Sequence, residues 1–221
     1  MTIKKTKNYR MHIISNNLTK LAKVFYKGRD SSHGFEHVTK VRDNAMLISK
    51  KIKVTNSYEL IKIEAAALFH DLWDHKYLNP SSMEYKITKD KFKYELKMLL
   101  FSEQEIKDIE IIINNISLSR EMKLRSNDKL LSLHHLQLMR DIVSDADKLE
   151  MLGISGIERI IEFQMYKYPN TKSHELKSIV KKVYNTKISK LLDENYIKTE
   201  PGRDMARPLM NEMKNFIEKI N

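Results

Sequence analysis

The chain has no cysteine among its 221 residues. Disulfides and thiolate-held metals are therefore excluded, and any metal must be held by His, Asp or Glu. The absence also fits a cytoplasmic protein. No apolar run is long enough to cross a bilayer and no stretch reads as a signal peptide, so no membrane partner is expected. Glycine and proline are scarce, at five and four residues. No repeat and no low-complexity linker appears, and the length suits one domain, or a domain with an appendage. The strand signal is negligible, so the expected fold class is all-α.

Basic residues are abundant. Forty Lys and Arg against 29 Asp and Glu give a net charge of +11. A nucleic-acid or phosphate partner is one reading of that excess. The lysines, however, are spread along the whole chain, with few aromatics between them and no block of five or six like charges. A solvated basic surface is therefore favoured over a nucleic-acid interface. Its field would still concentrate an anionic substrate near any cleft. Hydrophobic residues make up 41% of the chain, enough for a real core.

Residues 10 to 26 repeat apolar side chains at helical spacing, from Ile13 to Phe25, and Gly28 ends the run. The loop Arg29-Asp30-Ser31-Ser32-His33-Gly34 offers several helix caps. A helix from His33 or Phe35 to Lys53 has the inner face His37, Val41, Ala45, Ile48 and Ile52. The run Leu60 to Trp73, rich in Ala, Leu and Ile and free of Gly and Pro, reads as the next helix. A weaker helical pattern covers 83–101. Ser102-x-x-Glu105 is a capping box before Ile106, Ile109, Ile113 and Ile116. Residues 117–130 are polar and read as loop. Helices are then expected from Leu131 or Leu136 to Leu152 with Gly153 as C-cap, from Ile157 to Phe163, from Ser173 to about Asn195, and near 205–220. Thr199-Glu200-Pro201-Gly202 should separate the last two, and Pro208 should start or kink the final one.

Buried polar groups need partners, and buried charges need a counter-charge or a metal. Five metal-competent groups sit on apolar helical stretches: His37, His70, Asp71, Asp145 and Asp147. His37 and the His70-Asp71 pair come from consecutive helices with a short connection, which are expected to be antiparallel neighbours. Asp145 and Asp147 are two positions apart, about 200° around a helix, so they can hardly both hold one ion. Asp145 shares a face with Ile142 and Leu149, and Asp147 with Val143 and Met151. Periodicity does not choose between them. The bland alternative for either is a cap or an ion pair with Lys148, Arg140 or Arg159.

His37, His70-Asp71 and Asp147 resemble the H…HD…D signature of the HD-domain metal-dependent phosphohydrolases. Four blocks in order resemble the bacterial subgroup of YpgQ and YedJ type: Asp30 to His37, Ala65 to Lys76, Val143 to Arg159, and Lys187-Ile188-Ser189-Lys190-Leu191 with Thr199-Glu200-Pro201-Gly202-Arg203. Together they span most of residues 30 to 216. The resemblance implies one HD-type helical domain over 1–221, with a core of about 30–163 and C-terminal helices at 173–220 packed on it. It selects Asp147 over Asp145, because the family's metal-binding Asp precedes a basic-Leu pair. The implied cofactor is one divalent ion (Mn, Mg, Co, Ni or Fe) on His37, His70, Asp71 and Asp147. Among the departures, Lys40 stands where the subgroup has arginine, and Glu150 replaces Asp.

Two imidazoles and two carboxylates leave positions on an octahedral ion for water and a phosphate oxygen. Asp74, three residues beyond Asp71, is a candidate general acid or base, with a solvated loop carboxylate as its alternative. His33 is a candidate for positioning phosphate or water. Lys76, Lys40, Arg159 and Lys187 are candidate phosphate contacts. Lys187 lies four residues from both Val183 and Leu191 in an apolar stripe, where snorkelling to the surface is the alternative. The first functional expectation is a phosphohydrolase for a nucleotide or similar small phosphate ester. The resemblance suggests a nucleoside triphosphate losing pyrophosphate. The competing readings are a phosphodiesterase for a cyclic or signalling nucleotide, and a metal-stabilised nucleic-acid-binding module without turnover.

Overall fold

The computed structural model describes residues 2–74, 77–129 and 132–219, and their side chains apart from those of 2–10 and Ser31. In chain order the elements are α1 (Thr2–Phe25), a 3₁₀ turn (Ser31–His33), α2 (Phe35–Ile52), α3 (Ser57–Phe69), α4 (Met83–Met98) and α5 (Glu103–Asn114). They continue with α6 (Leu118–Arg125), a second 3₁₀ turn (His134–Leu136), α7 (Gln137–Leu149), α8 (Gly153–Lys167) and α9 (Ser173–Val183). A π turn (Tyr184–Ile188), α10 (Lys190–Asp193) and α11 (Glu200–Lys219) complete the chain. Among the described residues there is no strand. The architecture is all-α, and no helix among those residues is long and apolar enough to cross a membrane.

α3 is the central helix. It is apolar nearly all round, and a helix of that kind is stable only when covered on every side. Ile61, Ile63, Ala65, Ala66, Ala67, Leu68 and Phe69 are all buried. The three alanines have no bulk beyond Cβ, so α1, α2, α5 and α7 can all pack against α3. α2 presents the expected stripe, with His37, Val41, Ala45 and Ile48 buried and Ile52 partly so. α7 contributes Ile142, Val143 and Ala146 from the opposite side. Each large side chain removed from water here stabilises the fold by about 1.5–3 kcal/mol. α11 packs across α7 and α8.

Local signals act as expected at several ends. Asn56 caps α3, accepting from Tyr58 N. Ser102 and Glu105 form the reciprocal capping box of α5. Lys53 closes α2 in the left-handed conformation at φ 64°.

Several boundaries differ from the sequence expectation. The run read as helix to Trp73 leaves the helix at Phe69. Arg29 explains the change: its guanidinium donates to Asp71 O at 2.7 Å and also to Leu72 O. These carbonyls are thereby held outside the helical ladder, and Leu72 N and Asp74 N close tight turns to Phe69 O and Asp71 O. The polar stretch read as loop at 117–130 contains α6, capped by Ser117. It folds because its charge is paired. Buried Glu121 meets Arg125 at 2.7 Å, Lys198 at 3.1 Å, Lys148 at 3.3 Å and Arg140 at 3.6 Å.

Gly153 begins α8 rather than capping α7, and the expected short helix at 157–163 is longer at both ends. The helix expected over 173–195 is divided by the π turn that carries Lys187. The last helix starts at Glu200, not near 205, and Pro208 lies inside it. Thr199 Oγ1 accepts from Gly202 N at 3.1 Å, which makes the Glu-Pro-Gly segment the first turn of α11 rather than a separating loop.

Candidate metal centre and its cleft

α2 and the α3 C-terminal turn place His37 opposite His70, with their Nε2 atoms 3.2 Å apart. Asp71 Oδ2 lies 3.3 Å from His70 Nε2 and 3.6 Å from His37 Nε2. Asp147, on α7, brings Oδ1 to 3.5 Å from His70 Nε2 and 3.6 Å from His37 Nε2. His37, His70 and Asp147 satisfy the spacing of a metal-holding group by themselves. Four donor atoms thus converge from three elements that are far apart in sequence.

The surroundings fix the donors. His70 Nδ1 meets Ala67 O at 2.8 Å, which turns Nε2 toward the cluster. Asp71 Oδ2 is buried and has no hydrogen-bond partner among the described residues. It faces the imidazole nitrogens of His70 and His37 at 3.3 and 3.6 Å, and two carboxylates buried this close together need positive charge beside them. Imidazole and carboxylate donors together suit a divalent ion of the Mn, Co, Ni, Fe or Mg kind. The residues present fit such an ion.

Charges in the cluster are strongly biased. Burial alone would lower the His70 pKa, but the Asp71 charge and contacts with both aspartates outweigh it and carry His70 up to about 10. Burial pushes the His37 ring well below its ordinary value, and the Arg159 guanidinium and His70 push it further. Asp71 and Asp147 stay ionised despite burial, because His70 holds both carboxyls below the usual range. A protonated His70 and a guanidinium therefore balance the two carboxylates.

Asp145 is not in this group. It is fully buried on the other side of α7, where it accepts from Lys198 N at 2.9 Å, Thr199 N at 2.7 Å and Thr199 Oγ1 at 2.8 Å. It ties the start of α11 to α7. Of the ion-pair partners considered for the two aspartates, Arg159 turns to the cluster instead. Its Nη2 lies 2.9 Å from His37 Nε2, and its Nε donates to Ser32 O at 2.6 Å. Lys148 is fully buried and donates to Ser144 Oγ at 2.6 Å and Tyr196 O at 2.9 Å.

His33 is buried beside the cluster. Its ring centroid is 6.1 Å from that of His37, 5.4 Å from Tyr77 and 5.0 Å from Phe163. Its Nδ1 is 2.7 Å from Ser32 Oγ. Asp74 follows the α3 turn and is half-buried, its backbone nitrogen bound to Asp71 O at 3.2 Å. It is thus a turn residue beside His70 and Asp71 rather than the next position of a helix. Lys187 donates to Ser119 Oγ at 3.2 Å, which joins the π turn to α6. Lys76 lies outside the described residues.

A cleft opens beside His37 between α2 and α8. Lys40, Glu150 and Arg159 line it, together with Ser32, Ser155, Glu36, Glu158 and Glu162. Lys40 is more than half exposed and pairs with Glu36 at 3.4 Å. Glu150 accepts from Asn44 Nδ2 at 2.9 Å, and burial pushes its carboxyl up.

Sequence reasoning missed Arg29 and Tyr77. Arg29 lies between the rings of Tyr26 and Tyr77, 4.8 Å from each centroid, while it holds the Asp71 carbonyl. Tyr77 donates to Asp30 Oδ2 at 2.5 Å. The loop 29–34 had read only as a source of caps. Nothing local announces that its arginine will reach a turn some 40 residues away.

No family model matches the sequence, and no curated protein matches it. Solved structures do. The structure of Bacillus subtilis YpgQ in complex with ADP aligns with a TM-score of 0.67 at 20% identity, covering 96% of this chain and 95% of that one. An HD-superfamily hydrolase from Bacillus thuringiensis aligns with a TM-score of 0.65 at 23% identity, covering 96% of each chain. At these identities the likeness is one of fold, and it extends over nearly the whole of each chain. This chain shares the all-α fold of YpgQ and of the HD-superfamily hydrolase.

Proposed function

We propose that the protein is a metal-dependent phosphohydrolase acting on a nucleotide or related small phosphate ester, with removal of pyrophosphate from a nucleoside triphosphate as its finer activity. We also take the chain as one HD-type helical domain, with a core of about 30–163 and the C-terminal helices 173–220 packed on it. The observation that carries the functional reading is the convergence of His37 Nε2, His70 Nε2, Asp71 Oδ2 and Asp147 Oδ1 on one buried point from three separate elements.

In this reading His37, His70, Asp71 and Asp147 hold one divalent ion. When bound, the ion supplies Lewis acidity and a hydroxide-like nucleophile at neutral pH. His70 keeps its Nε2 aimed at the site through the Ala67 carbonyl. Asp74 and His33 are the groups placed beside the ligands to take or give a proton and to orient water or phosphate. Lys40 and Arg159 meet the phosphate in the cleft, with Lys76 and Lys187 as further contacts. Four glutamates against two cations along that cleft favour a substrate that arrives as its divalent-metal complex. The ADP bound by the YpgQ structure, a protein of the same fold, supports a nucleotide.

The test is a hydrolysis panel of nucleoside mono-, di- and triphosphates and cyclic nucleotides, each with Mn²⁺, Mg²⁺, Co²⁺ or Ni²⁺, with products identified by mass. Nucleoside monophosphate and pyrophosphate from a triphosphate are expected. Turnover of cyclic nucleotides alone would replace the finer activity, and no turnover with any metal would reject the enzyme reading.

A further inference from the structure

A neutral imidazole has one nitrogen lone pair in the ring plane. His37 offers it at Nε2, the atom that faces His70, Asp71 and Asp147. Arg159 Nη2 stands 2.9 Å from the same atom. His37 Nδ1 is buried with no hydrogen-bond partner among the described residues, and Nε2 is the ring nitrogen aimed at the cluster. One lone pair cannot accept from a guanidinium and bind a cation at once. Arg159 also has somewhere else to go. It belongs to α8 and lines the open cleft with Lys40 of α2.

We propose that Arg159 is a two-position residue that couples the metal centre to anion binding in the cleft: it holds His37 Nε2 while no cation is bound, and turns to a phosphate-type oxygen once a divalent cation takes that lone pair. The proposal rests on the functional reading above. The physical driving forces act in the same direction. A divalent charge at the cluster repels the guanidinium at short range. An anionic oxygen in the cleft offers it a charge-assisted hydrogen bond in exchange for the one it loses. Arg159 thus opposes metal binding when no anion is present and ceases to oppose it when one is. By linkage the same free energy makes the anion bind more tightly to the metal-loaded protein.

The experiment measures Mn²⁺ binding to the full-length protein by the EPR signal of free Mn²⁺, for wild type, Arg159→Met and Arg159→Gln, without and with saturating inorganic phosphate. Without phosphate, both variants should bind Mn²⁺ about tenfold more tightly, the size of one charged hydrogen bond released. The tightening that phosphate produces in wild type should shrink in both. Loss of a fixed positive charge would by itself tighten Mn²⁺ binding, so the shrinking of the phosphate effect in both variants is the readout that carries the proposal, and an undiminished phosphate effect overturns it. Equal or weaker Mn²⁺ binding by both variants overturns the proposal while leaving the metal centre standing. Failure of the wild type to bind Mn²⁺ overturns the metal centre and the proposal together. A further measurement needs no substitution. In ¹⁵N-arginine-labelled wild type, the Arg159 guanidinium signal should move on addition of diamagnetic Mg²⁺ before any phosphate is present. An unmoved signal at saturating Mg²⁺ overturns the proposal.

Discussion

Asp145 and Asp147 leave α7 in opposite directions. Asp147 Oδ1 faces His37 and His70 at 3.6 and 3.5 Å, while Asp145 Oδ2 accepts from Thr199 N at 2.7 Å. Their substitutions should therefore separate cleanly. Asp147→Asn should lose bound metal in elemental analysis and keep its fold. Asp145→Asn should keep the metal and lose about 1–3 kcal/mol of stability in denaturant titration, because its amide sets a donor against the donors of residues 198 and 199. The reverse pattern would show that the other face of α7 carries the ion.

His70 sets a pH dependence. Its pKa rises from an ordinary 6.5 to about 10 beside the two carboxylates. The protonated ring therefore stabilises the fold fully below pH 6.5, and that contribution is lost as pH rises toward 10. A cation must displace this proton, so between those limits Mn²⁺ affinity should rise about tenfold per pH unit. Chelator competition from pH 6.5 to 9 measures the slope. A flat profile would mean that His70 is neutral and the proton lies elsewhere.

Arg29 should affect the centre without touching its donor atoms. It fixes the carbonyl of Asp71 at 2.7 Å and so fixes the turn from which the carboxylate projects. Arg29→Met is expected to weaken Mn²⁺ binding roughly 10–100-fold, in the range of other supporting contacts around metals. Arg29→Lys should recover part of it. Unchanged affinity in both would show that the turn holds its shape alone.

Glu121 is the counter-charge of a buried basic cluster. Glu121→Gln leaves Lys148 fully buried without its carboxylate, and about 3–5 kcal/mol of stability should go with it. Burial would raise the Glu121 pKa, but Lys148 and Lys198 outweigh it and hold the carboxyl below 4.5. Its contribution is present above pH 4.5 and is lost as pH falls through the lowered value. Urea titrations of both proteins at pH 7 and at decreasing pH should converge in the acid range.

Asp74 and Lys187 are separable from folding. Asp74→Asn should keep metal and melting temperature and lower kcat. Lys187→Met should raise KM for the phosphorylated substrate and change stability by no more than about 0.5 kcal/mol, given its partly exposed site. Wild-type turnover by both variants would remove them from the chemistry and leave His33 as the next candidate for proton transfer.

The helical class was legible because its signals are local. The stripe on α2, the Ser102-Glu105 box and the alanine run of α3 each depend on neighbours within about two turns of the chain, and each folds as its spacing implies. The pair His70-Asp71 stood out because polar groups at the end of an apolar helix need partners. What the local pattern could not contain was the identity of those partners. The polar spacing of 117–130 gave no sign of α6, whose burial depends on Lys148 and Lys198 reaching Glu121. Periodicity left Asp145 and Asp147 equivalent; α11 claimed one, and α2 with α3 claimed the other. Arg159 reaches His37 across 122 positions of sequence. Hydrophobic spacing determines which face of a helix turns inward. Which charges meet there is set only when the helices dock, because a buried ionic or metal-binding group takes its meaning from atoms that the chain brings from elsewhere.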